Sequence, residues 1–128
     1  MATFLQPLLR HPERGWVLVN ADTGTRLVSR VTAAVDSTSR NRGLLGRNGL
    51  DDEALVIAPC NAVHTFFMKF AIDVLFVDKS GRIIKLAPAV RPWRLAGALR
   101  GFATIEMAAG TAERTATRPG HRLELQAG

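Results

Sequence analysis

The apolar residues of this chain fall into short runs, each closed within a few residues by Gly, Pro or Asp, and that punctuation is what most limits its fold. Trp16-Val-Leu-Val-Asn20 is apolar and β-branched and reads as a strand, Ala21-Asp-Thr-Gly24 is turn chemistry, and Thr25 to Val35 reads as the returning strand. Ala54–Ala58, closed by Pro59, and Val63–Met68 follow as further strands. Asp73–Asp78 and Arg82–Ala87 flank Lys79-Ser-Gly81, a three-residue loop with the glycine a hairpin needs. Both faces of Asp73–Asp78 are apolar, so this strand is expected at the centre of a sheet, covered on both sides. Ala103–Met107 and His121–Gln126 alternate as half-buried strands do, and residues 111–116 have room for one helical turn.

One segment breaks the strand pattern. Asp36-Ser-Thr-Ser39 offers side chains that accept from the free N–H groups of a helix start, so the sequence predicts a helix over about 38–45, ended by Gly46. Gly43 inside it costs about 1 kcal/mol against Ala. On that helix Arg40, Leu44 and Arg47 share a face. The expected fold class is therefore mostly β: a compact sandwich or partly closed barrel of short antiparallel strands with one short helix. A doubly wound α/β fold needs long helices between its strands, and this pattern has none.

The chain has 128 residues, the size of one domain. The expected boundaries are a tail over 1–14, one globular domain over 15–126 and a short tail at 127–128. Hydrophobic residues make up 47% and charged residues 22%, a globular balance that argues against disorder. A single cysteine, Cys60, excludes an internal disulfide. No run approaches the roughly 18 apolar residues of a membrane span, and the first ten residues lack the basic start of a secretory signal, so the expected compartment is the cytoplasm, with no membrane partner.

Charge narrows the partners further. The net charge is +6, and 14 of the 17 basic residues are Arg. Residues 1–50 carry a net +4, residues 51–78 a net −4 and residues 79–128 a net +6. The middle is acidic, and Trp16 and Trp93 are isolated in sequence. A nucleic-acid binder gathers its cations into a stripe, so no specific nucleic-acid partner is expected.

Polar chemistry is densest between Cys60 and Asp73, where His64, Thr65 and Lys69 lie among apolar neighbours. Buried ionised groups cost several kcal/mol unless paired, so such groups need partners. Asp73 shares a strand face with Leu75 and Val77, and Arg40 is the preferred cation for it, with Arg42 and Lys69 as rivals. Glu106 raises the same question on another strand. His64 is the side chain best suited to acid–base work near neutral pH. On a regular strand Cys60 and His64 stand about 13 Å apart, too far for a thiolate–imidazole pair, so Cys60 is expected to be buried and idle. A metal site is not expected, because only four Cys and His side chains exist in the chain.

Taken in order, Arg40-Asn-Arg-Gly43-Leu44-Leu45-Gly-Arg47, His64-Thr-Phe-Phe-Met68-Lys69, Ile72-Asp73-Val-Leu-Phe-Val-Asp78, Gly81, Ile105-Glu106-Met-Ala-Ala-Gly110 and Gly120 resemble the bacterial and archaeal domain of unknown function 192. The resemblance covers about residues 15–126 and implies a compact, sandwich-like β domain. It implies no reaction. Two departures stand out: Ala71 where the family usually has Pro, and His121 where it usually has Asp.

The reading that follows is a binding module for a small polar or anionic ligand, in a pocket lined by Arg40, His64, Thr65, Lys69, Asp73 and Glu106. No cofactor is called for, and the sequence leaves the oligomeric state open. The first alternative is a small hydrolase-like enzyme with His64 as general base and Asp73 as its orienter or as an acid. The second is a structural or partner-binding accessory protein, in which the polar set is only a folding network.

Overall fold

The computed structural model describes residues 3–34, 44 and 47–128. The chain order is α1 (Gln6–Arg10), β1 (Trp16–Asn20), β2 (Thr25–Val28), β3 (Arg30–Ala34), β4 (Glu53–Ile57), β5 (Ala62–His64), β6 (Ile72–Val77), β7 (Ile83–Val90), β8 (Leu95–Gly97), β9 (Ala103–Ala108), α2 (Thr111–Arg114) and β10 (Leu123–Ala127). The fold is mostly β, as the punctuation predicts. Its strands form a five-stranded sheet in the order β3-β4-β9-β6-β7, a three-stranded sheet β10-β1-β2 and a two-stranded ribbon β5-β8.

Strand alternation explains how these stack. Leu75 and Val77 of β6, Ile105 and Met107 of β9, and Ala54 and Val56 of β4 meet Leu18, Leu27, Val28 and Leu123 of the three-stranded sheet in one core. The opposite side chains of the same strands, among them Val74, Phe76, Leu55 and Ile57, form a second core with Leu44, Leu50 and Met68 and with Val63 of the ribbon. The five-stranded sheet is thus the middle layer of a sandwich, and β6 is buried along its whole length. Each fully buried aliphatic or Phe side chain adds about 1.5–3 kcal/mol to that arrangement.

Three expectations change. Thr25 to Val35 is not one strand: the chain breaks at Ser29, whose amide donates to Asp52 Oδ1 at 2.9 Å, and β3 leaves β2 to pair in parallel with β4. The segment read as an N-terminal tail forms α1, and Leu5 and Leu8, each 1% exposed, enter the first core. Val63–Met68 is a strand only as far as His64. The predicted helix over 38–45, with Arg40, lies outside the described residues apart from Leu44, which is buried in the second core.

Candidate functional site

Asp73 is the second residue of β6 and 1% exposed. Its pairing with Met107 of β9 turns its side chain toward the first core. Opposite it the ladder between β6 and β7 slips: Ile72 pairs with Val90, yet Val74 pairs with Ala87. The extra residues include Pro88, which has no N–H to give, and Ala89, whose φ is +47°. A proline in a strand is tolerated at such a bulge. The Ala89 amide donates to Asp73 Oδ1 at 2.9 Å. The other oxygen accepts from the Ala112 amide at 2.9 Å, in the first turn of α2, where Gly110 offers no capping side chain of its own. Asp73 therefore ties the bulge and the helix start to β6. Its donors are two backbone amides, and among the described residues no cation lies within ion-pair distance of it.

Glu106 is also sealed, at 0% exposure, but faces the other way. It pairs with Val74, so it looks into the second core with Thr104 and Phe76. It is partnered there. The two acids thus stand on opposite faces of one sheet and cannot line one pocket. Leu44 lies on the Glu106 face, the side away from Asp73. Lys69 is exposed. The cation proposed for Asp73, Arg40, falls outside the described residues.

His64 ends β5, in the ribbon that covers the second core. Its neighbour Val63 points inward, so alternation turns His64 outward, away from Asp73 by the thickness of the sheet. The structure therefore does not bring together His64 and Asp73 as base and orienter. Instead, His64 Nδ1 accepts from the Phe66 amide at 3.3 Å, and its ring stacks on Phe66 at 4.8 Å between centroids. Phe66 stacks in turn on Trp93 at 5.6 Å, and Trp93 packs against Phe67 at 4.6 Å. Next to His64, its cross-strand partner Leu95 lines a shallow trough of about 460 Å³ with Ala62, Val63, Ala96 and Gly97.

Thr65 holds this cluster together. It is buried, at 1% exposure. Its amide donates to Arg94 O at 2.9 Å, and its carbonyl accepts from Trp93 N at 3.0 Å and Met68 N at 3.3 Å. Its hydroxyl donates to Arg91 O at 2.6 Å and accepts from Arg94 N at 2.9 Å. The 66–68 turn and the 91–94 turn are both fastened to one residue. Phe67 and Trp93 are held at φ +67° and +65°, a left-handed conformation rarely taken by bulky side chains. The sequence signal for this site was the Phe66-Phe67 doublet and the Arg91-Pro-Trp-Arg94 stretch. Neither segment has a period that reveals exposure.

The match to known families decides what kind of chain this is. The model of domain of unknown function 192, described as an uncharacterised ACR, matches residues 18–125. The chain belongs to this family. A UPF0127 protein of Thermococcus sibiricus is 34% identical over 83 residues, which cover 61% of this chain and 53% of that protein, so the chain spans about half the length of that curated relative. A crystal structure of a putative transcription regulator from Sinorhizobium meliloti superposes with a TM-score of 0.73 at 23% identity, covering 87% of this chain and 92% of the other. A protein of unknown function from Novosphingobium aromaticivorans gives 0.72 at 24% identity, covering 86% and 83%. Both show the fold.

Within the family pattern, His121 now has a role. The Arg118 amide donates to His121 Nδ1 at 3.2 Å, which fixes that nitrogen as an acceptor and places the proton on Nε2. Asn20 Nδ2 donates to the same atom at 3.0 Å and to Thr117 Oγ1 at 3.2 Å. Asn20 itself is 0% exposed, and its Oδ1 caps the Asp22 and Thr23 amides. A histidine acceptor here does what an aspartate oxygen could do: it orders the turn before β10. Cys60 is half-buried rather than fully buried, with its thiol on Ala62 O at 3.2 Å. Among the described residues no three His, Cys, Asp or Glu side chains gather as a metal site, and no helix is long and apolar enough to cross a membrane.

Proposed function

We propose that this member of the family is a binding domain without catalytic chemistry, and that its working surface is the stripe running from Phe67 and Trp93 past His64 and Leu95. One observation carries the reading. Two large aromatic residues are held in a strained backbone conformation while more than half exposed, at 68% for Phe67 and 55% for Trp93. Left-handed non-glycine residues cost of order 1–3 kcal/mol each, and an exposed ring returns little stability for it. Strain that persists without a folding benefit supports a functional use. Contiguous exposed apolar surface supports binding in the same way. The polar set of the sequence reading is better accounted for by folding: Asp73 and Thr65 each close a turn, and neither has an open face.

The test compares the native chain with Phe67→Gly/Trp93→Gly, a pair that relieves the strain and removes the rings. Both are titrated against phospholipid vesicles, an oligothymidylate and an acidic, Phe-containing peptide. Binding of at least one of these by the native chain, with loss in the variant, is the expected result. No binding to any of them, or binding that ignores the rings, overturns the reading.

A further inference from the structure

We propose that the stripe attaches the protein to the surface of an anionic lipid bilayer, with its aromatic and leucine side chains entering the interface and the surrounding cations meeting the headgroups. This rests on the reading of the stripe as a binding surface and names its partner. Four apolar side chains on and around the ribbon are exposed: Trp93 55%, Phe67 68%, Leu95 75% and Leu99, just past β8, 92%. These groups protrude. A rigid protein partner would need a separate pocket for each, whereas lipid deforms around them, and Trp and Phe rings favour the bilayer interface.

The rim selects the charge of that surface. Lys69 follows Phe67 by two residues, Arg91 and Arg94 flank Trp93, and Arg100 follows Leu99. Among the described residues none of the four is in an ion pair. Between residues 54 and 105 the acids are Asp73, buried on two amides, and Asp78, which lines one groove with Arg100 but whose Oδ1 takes the Ser80 hydroxyl and the Ser80 and Arg82 amides in its own turn. Cations beside an apolar stripe with so little opposing charge suit an anionic surface.

The same observations weigh against other occupants. A second copy packed stripe to stripe would bring the two cationic rims together. Bases of a single strand need open ring faces to stack on. Here Phe66 is stacked between His64 and Trp93, and Trp93 is covered further by Phe67. An added peptide strand needs a free edge, but β5 and β8 are three residues each, and the Gly97 carbonyl already accepts from Lys85 Nζ at 2.7 Å. The absence of a spanning segment in the sequence does not bear on attachment of this kind, which uses exposed loops.

The experiment is co-sedimentation of the full chain with phosphatidylglycerol-containing vesicles and with pure phosphatidylcholine vesicles, at about 0.1 M salt. Trp93 emission is followed alongside, with acyl-chain-brominated lipid as quencher. The expected result is partitioning about tenfold or more stronger to the anionic vesicles, with a blue shift and quenching by bromine. Trp16 is in the core, so Trp93→Phe should remove the optical change and keep most of the binding. Arg91→Gln/Arg94→Gln and, separately, Phe67→Gly/Trp93→Gly should each weaken partitioning about tenfold or more, with urea midpoints close to that of the native chain. Equal binding to both vesicle types overturns the proposal, as does binding unchanged by loss of the rings, which would be charge attraction alone. Trp93-dependent binding to the oligothymidylate or the acidic peptide, without vesicle binding, overturns the lipid assignment and leaves the binding surface standing. Failure with all three overturns both.

Discussion

Asp73 sits beside a left-handed residue and Trp93 is itself one, and the molecule treats the two places in opposite ways. At Asp73 the strained Ala89 of the bulge is compensated, because its freed amide finds a buried carboxyl oxygen and the other oxygen caps α2. At Trp93 the strain is enforced by Thr65 beneath it, and the side chain it positions goes into solvent. Buried polar groups and irregular backbone at the first place serve the fold. At the second they hold apolar groups outside it. In this protein Asp73 and Thr65, which look chemical in sequence, each fasten a turn, while Phe67 and Trp93 stand exposed.

The sharpest way to break that contrast is Asp73→Ala. It strands the buried Ala112 amide, worth about 1–3 kcal/mol when left without an acceptor, and takes the acceptor from the part-buried Ala89 amide, so urea unfolding should show a loss of about 2–4 kcal/mol. Asp73→Asn keeps one acceptor and should lose roughly half as much. A change under about 1 kcal/mol for Asp73→Ala would mean the bulge and α2 do not depend on it.

Thr65→Val keeps the volume and removes the hydroxyl from the Arg91 carbonyl and the Arg94 amide. The expected cost is about 1–3 kcal/mol, with Trp93 emission moving to the red as the turn loosens. Thr65→Ser should restore both. A native Trp93 spectrum in the valine variant would show that the clamp is not what orients the ring.

Phe67→Gly sharpens the comparison from the other side. Relief of the left-handed strain and the added freedom of the unfolded chain nearly offset each other, so stability should change by less than about 1 kcal/mol. A loss comparable to that of Asp73→Ala would make the exposed ring a folding element after all.

The smallest effect concerns Asp78, in the turn between β6 and β7. Partial burial pushes its carboxyl upward, but the Ser80 hydroxyl, the Arg82 and Ser80 amides and the Arg82 charge outweigh that and hold it below its ordinary value. A depressed folded value means its stabilising effect is complete above the unfolded value and fades as pH falls through the folded one. Asp78→Asn should therefore flatten the acid limb of the stability curve slightly. An unchanged limb would show that this turn makes no contribution below neutrality.

Local chemistry was legible without any structure. Alternation placed β1, β6 and β9 within a residue of their bounds, Lys79-Ser-Gly81 marked a hairpin whose Gly81 has φ +89°, and the two apolar faces of β6 required cover on both sides. These depend on neighbours one to four residues away, and the sequence contains those neighbours. The facing of Asp73 and Glu106 depends on register between β6 and β9, a pairing across more than thirty residues. One step of register exchanges the two faces of a strand, so no local pattern could say that the acids were separated by the sheet. The break at Ser29 depended on Asp52, and the burial of Leu5 and Leu8 on a core assembled from strands far along the chain. Exposure of Phe67 and Trp93 was decided the same way: Thr65 joins two turns 26 residues apart through its amide, carbonyl and hydroxyl, and no local pattern around either ring encodes that long-range connection.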